Sequence, residues 1–187
     1  MFERFFAPLA AVALLAAPAA ATGLKIEIAG EGGGGTVTVD LLEEVAPHHV
    51  ERITTLARQG AYDGVAFHRV IDGFMAQTGD VRFGRMEGGN MSRAGMGGSD
   101  LPDLEAEFSD IPFDRGVVGM ARSQDPDSAN SQFFITFRPA PFLDGQYTVV
   151  GQVTEGMEVI DAIKRGKGRN GAVVGRPDAM VAVTVTD

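Results

Sequence analysis

The chain has 187 residues, of which 44% are hydrophobic and 22% charged, an ordinary balance for one globular domain. It contains no cysteine, which excludes a disulfide framework, a thiolate metal site and a cysteine nucleophile. Twenty-five acids against sixteen Lys and Arg leave a net charge of −9, a field that repels phosphate backbones and argues against nucleic acid as a partner.

The first 21 residues differ from the rest. Arg4 and the amino terminus supply weak positive charge, Phe5 to Ala17 is almost wholly apolar, and Ala19, Ala20 and Ala21 are small. This reads as a secretory signal peptide cut before Thr22, since the apolar run is short for a spanning helix. Its removal takes one acid and one base, leaving the net charge unchanged. The expected mature domain is 22–187, periplasmic or secreted, with no stable membrane association after cleavage.

Leu24, Ile26 and Ile28 alternate with Lys25 and Glu27, and Val37, Val39 and Leu41 repeat that period-two strand pattern. Between them, Glu31 to Gly35 reads as a flexible hairpin loop; a phosphate cradle would need a helix to follow, and a strand follows instead. Pro47 opens a helix with Val50, Ile53, Leu56 and Ala57 on one face, and Gly60 ends it. Strand-like segments cover 66–71 and 74–78. From 79 to 115 the chain is rich in Gly, Asp, Ser and Pro and has little periodicity, as in a functional or draping loop. Further strands are expected at 116–121, 131–137 and 148–153. Val159, Ile160 and Ile163 mark a second helix, ended by Gly166, and Val181, Val183 and Val185 a last strand. Seven or eight strands with two helices suggest a mainly β fold, a closed antiparallel barrel or a sandwich, with the helices plugging barrel ends.

All nine phenylalanines beyond the leader lie between 67 and 142, which suggests an aromatic-lined site in addition to a core. His48, His49 and His68 are the only histidines, and no acid spacing makes them a metal site. His68 is expected to be a buried, hydrogen-bonded structural residue. A hydrolase built on Ser131, His68 and Asp80 lacks a Gly-x-Ser-x-Gly elbow. Lys164, Arg165, Lys167, Arg169 and Arg176 read as a solvated basic turn.

One block is far more specific: Tyr62-Asp63-Gly64-Val65-Ala66-Phe67-His68-Arg69-Val70-Ile71-Asp72-Gly73-Phe74-Met75-Ala76-Gln77-Thr78-Gly79-Asp80. With Gly119-Met120-Ala121-Arg122, Ser131-Gln132-Phe133-Phe134-Ile135 and Phe142-Leu143-Asp144-Gly145-Gln146-Tyr147-Thr148-Val149-Val150-Gly151, it resembles the cyclophilins, peptidyl-prolyl cis/trans isomerases. The resemblance runs from about Leu24 to Asp187. It implies a closed eight-stranded antiparallel barrel with two capping helices. It also implies isomerisation of X–Pro bonds in proline-containing peptides and unfolded or newly exported proteins, without cofactor or metal.

By the same resemblance Arg69 is the catalytic donor and Gln77 assists by hydrogen-bonding the substrate backbone. Phe74, Met75, Phe134 and Leu143 line the proline slot, and Tyr147 stacks on the ring or caps it. Ala121 and Arg122 fall on the strand that pairs with the peptide, and Gln132 faces the same groove. Phe142 stands where the strongest cyclosporin-binding relatives carry Trp, so cyclosporin binding is expected to be weak. Residues 122–130 look like the bacterial form. Nothing in the sequence demands more than a monomer.

Overall fold

The computed structural model describes residues 22–186; the expected signal peptide lies outside the described residues. The alternating segments form β1 (Gly23–Gly30) and β2 (Gly33–Leu41), an antiparallel hairpin paired from Gly23↔Asp40 to Gly30↔Gly33. Leu24, Ile26, Ile28, Val37, Val39 and Leu41 are buried while Lys25 and Glu27 face solvent, as a half-buried pleat requires. The expected glycine loop is tighter than read. Gly33, Gly34 and Gly35 belong to β2, and the turn is confined to Glu31 and Gly32.

Helix α1 (Pro47–Arg58) buries Val50, Ile53, Leu56 and Ala57, starts with Pro in its first turn, and is followed by Gly60 at φ +64°. Its N-cap residue, Ala46, supplies no side-chain cap. The cap comes from far away: Glu107 accepts the backbone N–H groups of His48 (3.3 Å) and His49 (3.2 Å) and the Nδ1–H of His49 (2.7 Å). A carboxylate at a helix N-terminus satisfies orphan donors and meets the positive end of the dipole.

Then come β3 (Val65–Ala66), β4 (Arg69–Ile71), β5 (Met75–Thr78), β6 (Val117–Met120), β7 (Phe133–Thr136), β8 (Val149–Glu155), α2 (Met157–Ala162) and β9 (Ala179–Thr186). Between β5 and β6 the only regular piece is a single 3-10 turn at Met91–Arg93. In β9 the simple alternation fails at Val181. Glu27 faces Ala182 and Ile28 faces Met180, so Val181 is the extra residue of a bulge and is exposed, while Met180 and Val183 go inward.

The expected closed, eight-stranded barrel needs correcting. The strands form one curled antiparallel sheet of nine, in the order β3-β9-β1-β2-β8-β6-β7-β5-β4. Among the described residues no ladder joins the end strands β3 and β4. They are successive pieces of one segment, interrupted at Phe67 and His68. There the backbone bonds elsewhere: Phe67 N–H to the Asp178 carbonyl (2.9 Å), and Val173 N–H to the His68 carbonyl (3.0 Å). One strand expected over 66–71 is thereby divided between the two ends of the sheet. α2 packs on β2 and α1 on β9.

The interior has two apolar clusters. The larger contains the inward residues of β1 and β2, α1, Tyr62, Phe67, Phe133, Ile135 and Ile160. The smaller consists of Met75, Phe113, Val117, Phe134, Ala140, Leu143 and Val149, with Phe74 and Tyr147 partly buried against it. The phenylalanine concentration thus divides as expected between core and surface. Phe67, Phe113, Phe133, Phe134 and Phe137 are buried, whereas Phe142 is 62% exposed. No helix of the described residues is long and apolar enough to cross a membrane.

Candidate active site

The smaller cluster is the floor of a cavity of about 340 Å³, walled by Arg69, Phe74, Met75, Phe134, Leu143 and Tyr147, with Gln77, Ala121, Arg122, Phe142 and Gln146 around them. Strand register explains the convergence. Arg69 faces Gln77 across β4 and β5, Gln77 faces Phe134 across β5 and β7, and Phe134 faces Gly119 across β7 and β6. Gly119 has to be glycine. A Cβ there would lie 2.6 Å from both Phe113 and Phe134, whose rings stack with centroids 5.7 Å apart directly over it. That close approach lets Phe134 form the floor rather than stand out of it.

Phe74 and Phe142 meet at 5.3 Å between centroids, and Tyr147 stands edge-on to Phe134 at 5.8 Å. Leu143 is carried by a short 3-10 turn, Pro141–Leu143, which leaves it buried and its neighbour Phe142 outside.

Of the two arginines described in this lining, Arg122 donates from all three of its nitrogens, whereas Arg69 leaves one nitrogen without a partner. Its Nε–H donates to the Asn170 carbonyl at 2.9 Å, and its Nη1 to the side-chain oxygen of Gln77 at 3.0 Å and towards the Met75 sulfur at 3.9 Å. Among the described residues none accepts a hydrogen bond from Nη2, which remains available at the cavity. The side chain is half-buried, and burial pulls its pKa below the ordinary guanidinium value, against the pull of Tyr147. It stays cationic at any physiological pH.

The hydrogen bonds continue outward. Gln77 Nε2 donates to the Gln132 side-chain oxygen (2.9 Å), and Gln132 Nε2 donates to the carbonyls of Gly95 (3.1 Å) and Gly97 (2.7 Å). Gln132 therefore lies outside the apolar cavity. It belongs to a second cavity of about 560 Å³ that shares Gln77, Ala121 and Arg122 with the first and extends to Met96, Asp103 and Asn130. Arg122 is the partition between the two. Its Nε and Nη2 donate to the Gln146 carbonyl (3.2 and 2.8 Å), its Nη1 to the Ser123 and Gln124 carbonyls (2.9 and 3.3 Å), and it lies 4.5 Å over the Tyr147 ring. Ala121 and Arg122 come just after β6, not within it.

The loop that walls the second cavity is pinned by Asp80. This fully buried carboxylate accepts N–H groups from Arg82 (3.1 Å), Phe83 (2.9 Å), Gly95 (2.7 Å) and Gly97 (3.0 Å). The role was invisible in sequence, because the four donors are spread along a segment with no periodicity. Gln146 and the Asn170 carbonyl were also not anticipated; both act through backbone oxygens, which no residue type announces.

His68 is buried, as expected, but among the described residues neither ring nitrogen is within good hydrogen-bond geometry of a partner, the Ala66 backbone and the Gln132 side chain being the polar groups that influence it. Burial pushes its pKa down, so it is neutral at neutral pH. Ser131, His68 and Asp80 form no triad: the Ser131 hydroxyl donates to the Gly79 carbonyl (2.7 Å) and the Asp80 oxygens face backbone amides.

The comparisons with known proteins agree with this geometry. The model of the "Cyclophilin type peptidyl-prolyl cis-trans isomerase/CLD" family matches residues 24–185. A curated protein of Brucella suis biovar 1 (strain 1330), named "Probable peptidyl-prolyl cis-trans isomerase", is 58% identical over 152 residues, 81% of this chain and 78% of its own. The crystal structure of a Cryptosporidium parvum cyclophilin type peptidyl-prolyl cis-trans isomerase has the same fold, with TM-score 0.74 at 22% identity over 90% of this chain and 99% of its own. Cyclophilin AquaCyp293 from Hirschia baltica gives TM-score 0.68 at 26% identity over 87% and 73% of the two chains. With a family match over nearly the whole described chain, this protein belongs to the cyclophilin-type peptidyl-prolyl cis-trans isomerases.

Proposed function

We propose that this chain catalyses rotation about X–Pro bonds in unfolded or newly exported polypeptides, by a non-covalent mechanism centred on Arg69. Rotation must break the conjugation of the amide nitrogen, a barrier of about 18–20 kcal/mol that leaves the uncatalysed reaction at tens to hundreds of seconds. Completing it in about 10 ms needs roughly 5–6 kcal/mol of differential stabilisation.

The observation that carries the reading is the uncommitted Nη2 of Arg69 at the wall of an apolar cavity. In both planar isomers the nitrogen lone pair is tied up in the amide. In the twisted state it is freed, and a cation aimed at it stabilises that state alone. Gln77 and the Asn170 carbonyl hold two corners of the guanidinium, so the donor is oriented before substrate arrives. Phe74, Met75, Phe134 and Leu143 bury the ring, Tyr147 bounds it, and exposed Phe142 forms the lip. Gln77 and Gln132 present amides to the peptide backbone beside Ala121 and Arg122. No proton transfer, metal or cofactor takes part. Phe142 lacks an indole N–H, so cyclosporin binding is weak.

Residues 1–21 direct the chain out of the cytoplasm and are removed before Thr22, placing the domain in the periplasm or outside the cell as a monomer. The test is a cis-to-trans assay of the domain starting at Thr22 on an Ala-Pro tetrapeptide. A rate proportional to enzyme supports the reading; a rate indistinguishable from solvent refutes it. The exported product should begin near Thr22 by mass spectrometry, and a full-length product in the membrane fraction refutes the location.

A further inference from the structure

The basic turn singled out in the sequence stands beside Arg69. Residues 166–172 form a small hairpin pinned along β4: Gly166 N–H donates to the Val70 carbonyl (2.9 Å) and Val70 N–H to the Gly171 carbonyl (2.7 Å). The hairpin is closed by Lys167 N–H to Ala172 (2.9 Å), and its Asn170 carbonyl is the one that holds Arg69 Nε at 2.9 Å. The tip is therefore adjacent to the guanidinium, which itself walls the apolar cavity.

The charges of this segment divide into two kinds. Lys164 is paired with Glu31 at 2.6 Å, and Arg165 with Asp72 at 3.0 Å. Lys167 and Arg169, at the tip, are exposed, and among the described residues their side chains have no carboxylate or carbonyl partner. In a chain with net charge −9, two unneutralised cations next to the reacting centre form a local positive field within an otherwise negative one. The opposite end of the groove, beyond Gln77 and Gln132, is edged by the carboxylate of Asp103.

We propose that the 166–172 hairpin is a specificity element. It selects prolyl peptides that carry Asp or Glu on the flank crossing Lys167 and Arg169. The inference rests on the isomerase reading above and deepens it, by naming the substrate class. The charges act through water at about the Debye length, so they alter capture of the peptide by a small factor and disappear as salt rises.

The experiment measures kcat/KM for Ala-Pro peptides in which Ala, Glu or Lys is placed two to four residues before or after the proline. At low ionic strength, Glu on one of the two flanks should exceed Lys at the same position by about threefold or more, and added salt at about 0.5 M should remove the difference. The K167Q/R169Q variant should flatten the ratio and K167E/R169E should invert it. Because each ratio is taken within one protein preparation, a partial loss of folded enzyme leaves it unchanged. Turnover of all peptides with no position discriminating Glu from Lys by twofold overturns this inference and leaves the isomerase reading intact, as does a preference that survives in K167E/R169E. No turnover of any peptide overturns both.

Discussion

Replacing Arg69 tests the mechanism most directly, and the structure supplies the expected sizes. Arg69→Ala removes the guanidinium at the cavity wall while leaving the apolar wall of Phe74, Met75, Phe134 and Leu143 in place. Loss of a preorganised charge-stabilising donor costs about 10²–10³ in rate, or roughly 3–4 kcal/mol of transition-state stabilisation. Since Nη2 has no role towards a planar amide, kcat and kcat/KM should fall together while KM changes little. Arg69→Lys separates charge from geometry. One ammonium cannot replace Nε on Asn170, Nη1 on Gln77 and a third nitrogen at the substrate, so a loss of about 10–100-fold is expected despite retained charge. The folding cost is small. Arg69→Ala deletes the hydrogen bonds to Asn170 and Gln77 of a half-exposed side chain, worth roughly 1–2 kcal/mol, and Tm should fall by about 2–8 °C. The assay is peptide isomerisation at low temperature, where the uncatalysed rate is slow, with thermal unfolding followed in parallel. An Arg69→Ala enzyme within threefold of the parent, or a loss confined to KM, refutes the stated role of the guanidinium.

Gln77→Ala removes the acceptor of Arg69 Nη1 and the link to Gln132; activity should drop by about tenfold with Tm almost unchanged, and a fully active variant would show that Arg69 needs no such support. Asp80→Asn leaves a single acceptor oxygen and turns an NH2 group towards backbone donors in a fully buried site. A destabilisation of about 2–4 kcal/mol is expected, read as a lower urea midpoint, and an unchanged midpoint would refute the anchoring role. For pH, burial lowers the pKa of His68, and burial lowers that of His49 against the opposing pull of Glu107. The folded chain keeps both neutral near pH 7 and, below about pH 6.5, takes up fewer protons on them than the unfolded chain does. Stability should therefore be full above about pH 7 and decline below about 6.5, by up to about 1.4 kcal/mol per pH unit for each histidine. Glu107 is held below the usual carboxylate range: burial raises it, but the His49 ring and the two backbone N–H groups outweigh burial. Its contribution is lost only at lower pH, as the carboxyl is protonated. Urea unfolding at pH 7.5 and 5.5 checks this, and equal midpoints would refute it.

Period-two alternation in β1 and β2, the apolar face and glycine stop of α1, and the Phe67-His68-Arg69 and Gln132-Phe133-Phe134 blocks were legible from residue order alone. Each depends on side-chain type at short spacing, which sequence states directly. The residues named from the motifs also converge: all but Gln132 border one cavity, and Gln132 reaches it through Gln77. That convergence is a consequence of register between strands distant in the chain.

Tertiary structure alone decided the remainder. Whether 66–71 is one strand or two depended on where the Phe67 and His68 backbone groups found partners, in segments about a hundred residues away. The bulge that expels Val181 exists only against β1. The capping of α1 by Glu107, the pinning of the 82–97 loop by Asp80 and the seating of Arg69 on Asn170 each join a side chain to backbone groups of another element. Backbone donors and acceptors are the same at every non-proline residue, so sequence cannot say which of them a given carboxylate or guanidinium will meet; folding, by bringing particular ones together in a site with little water, decides it.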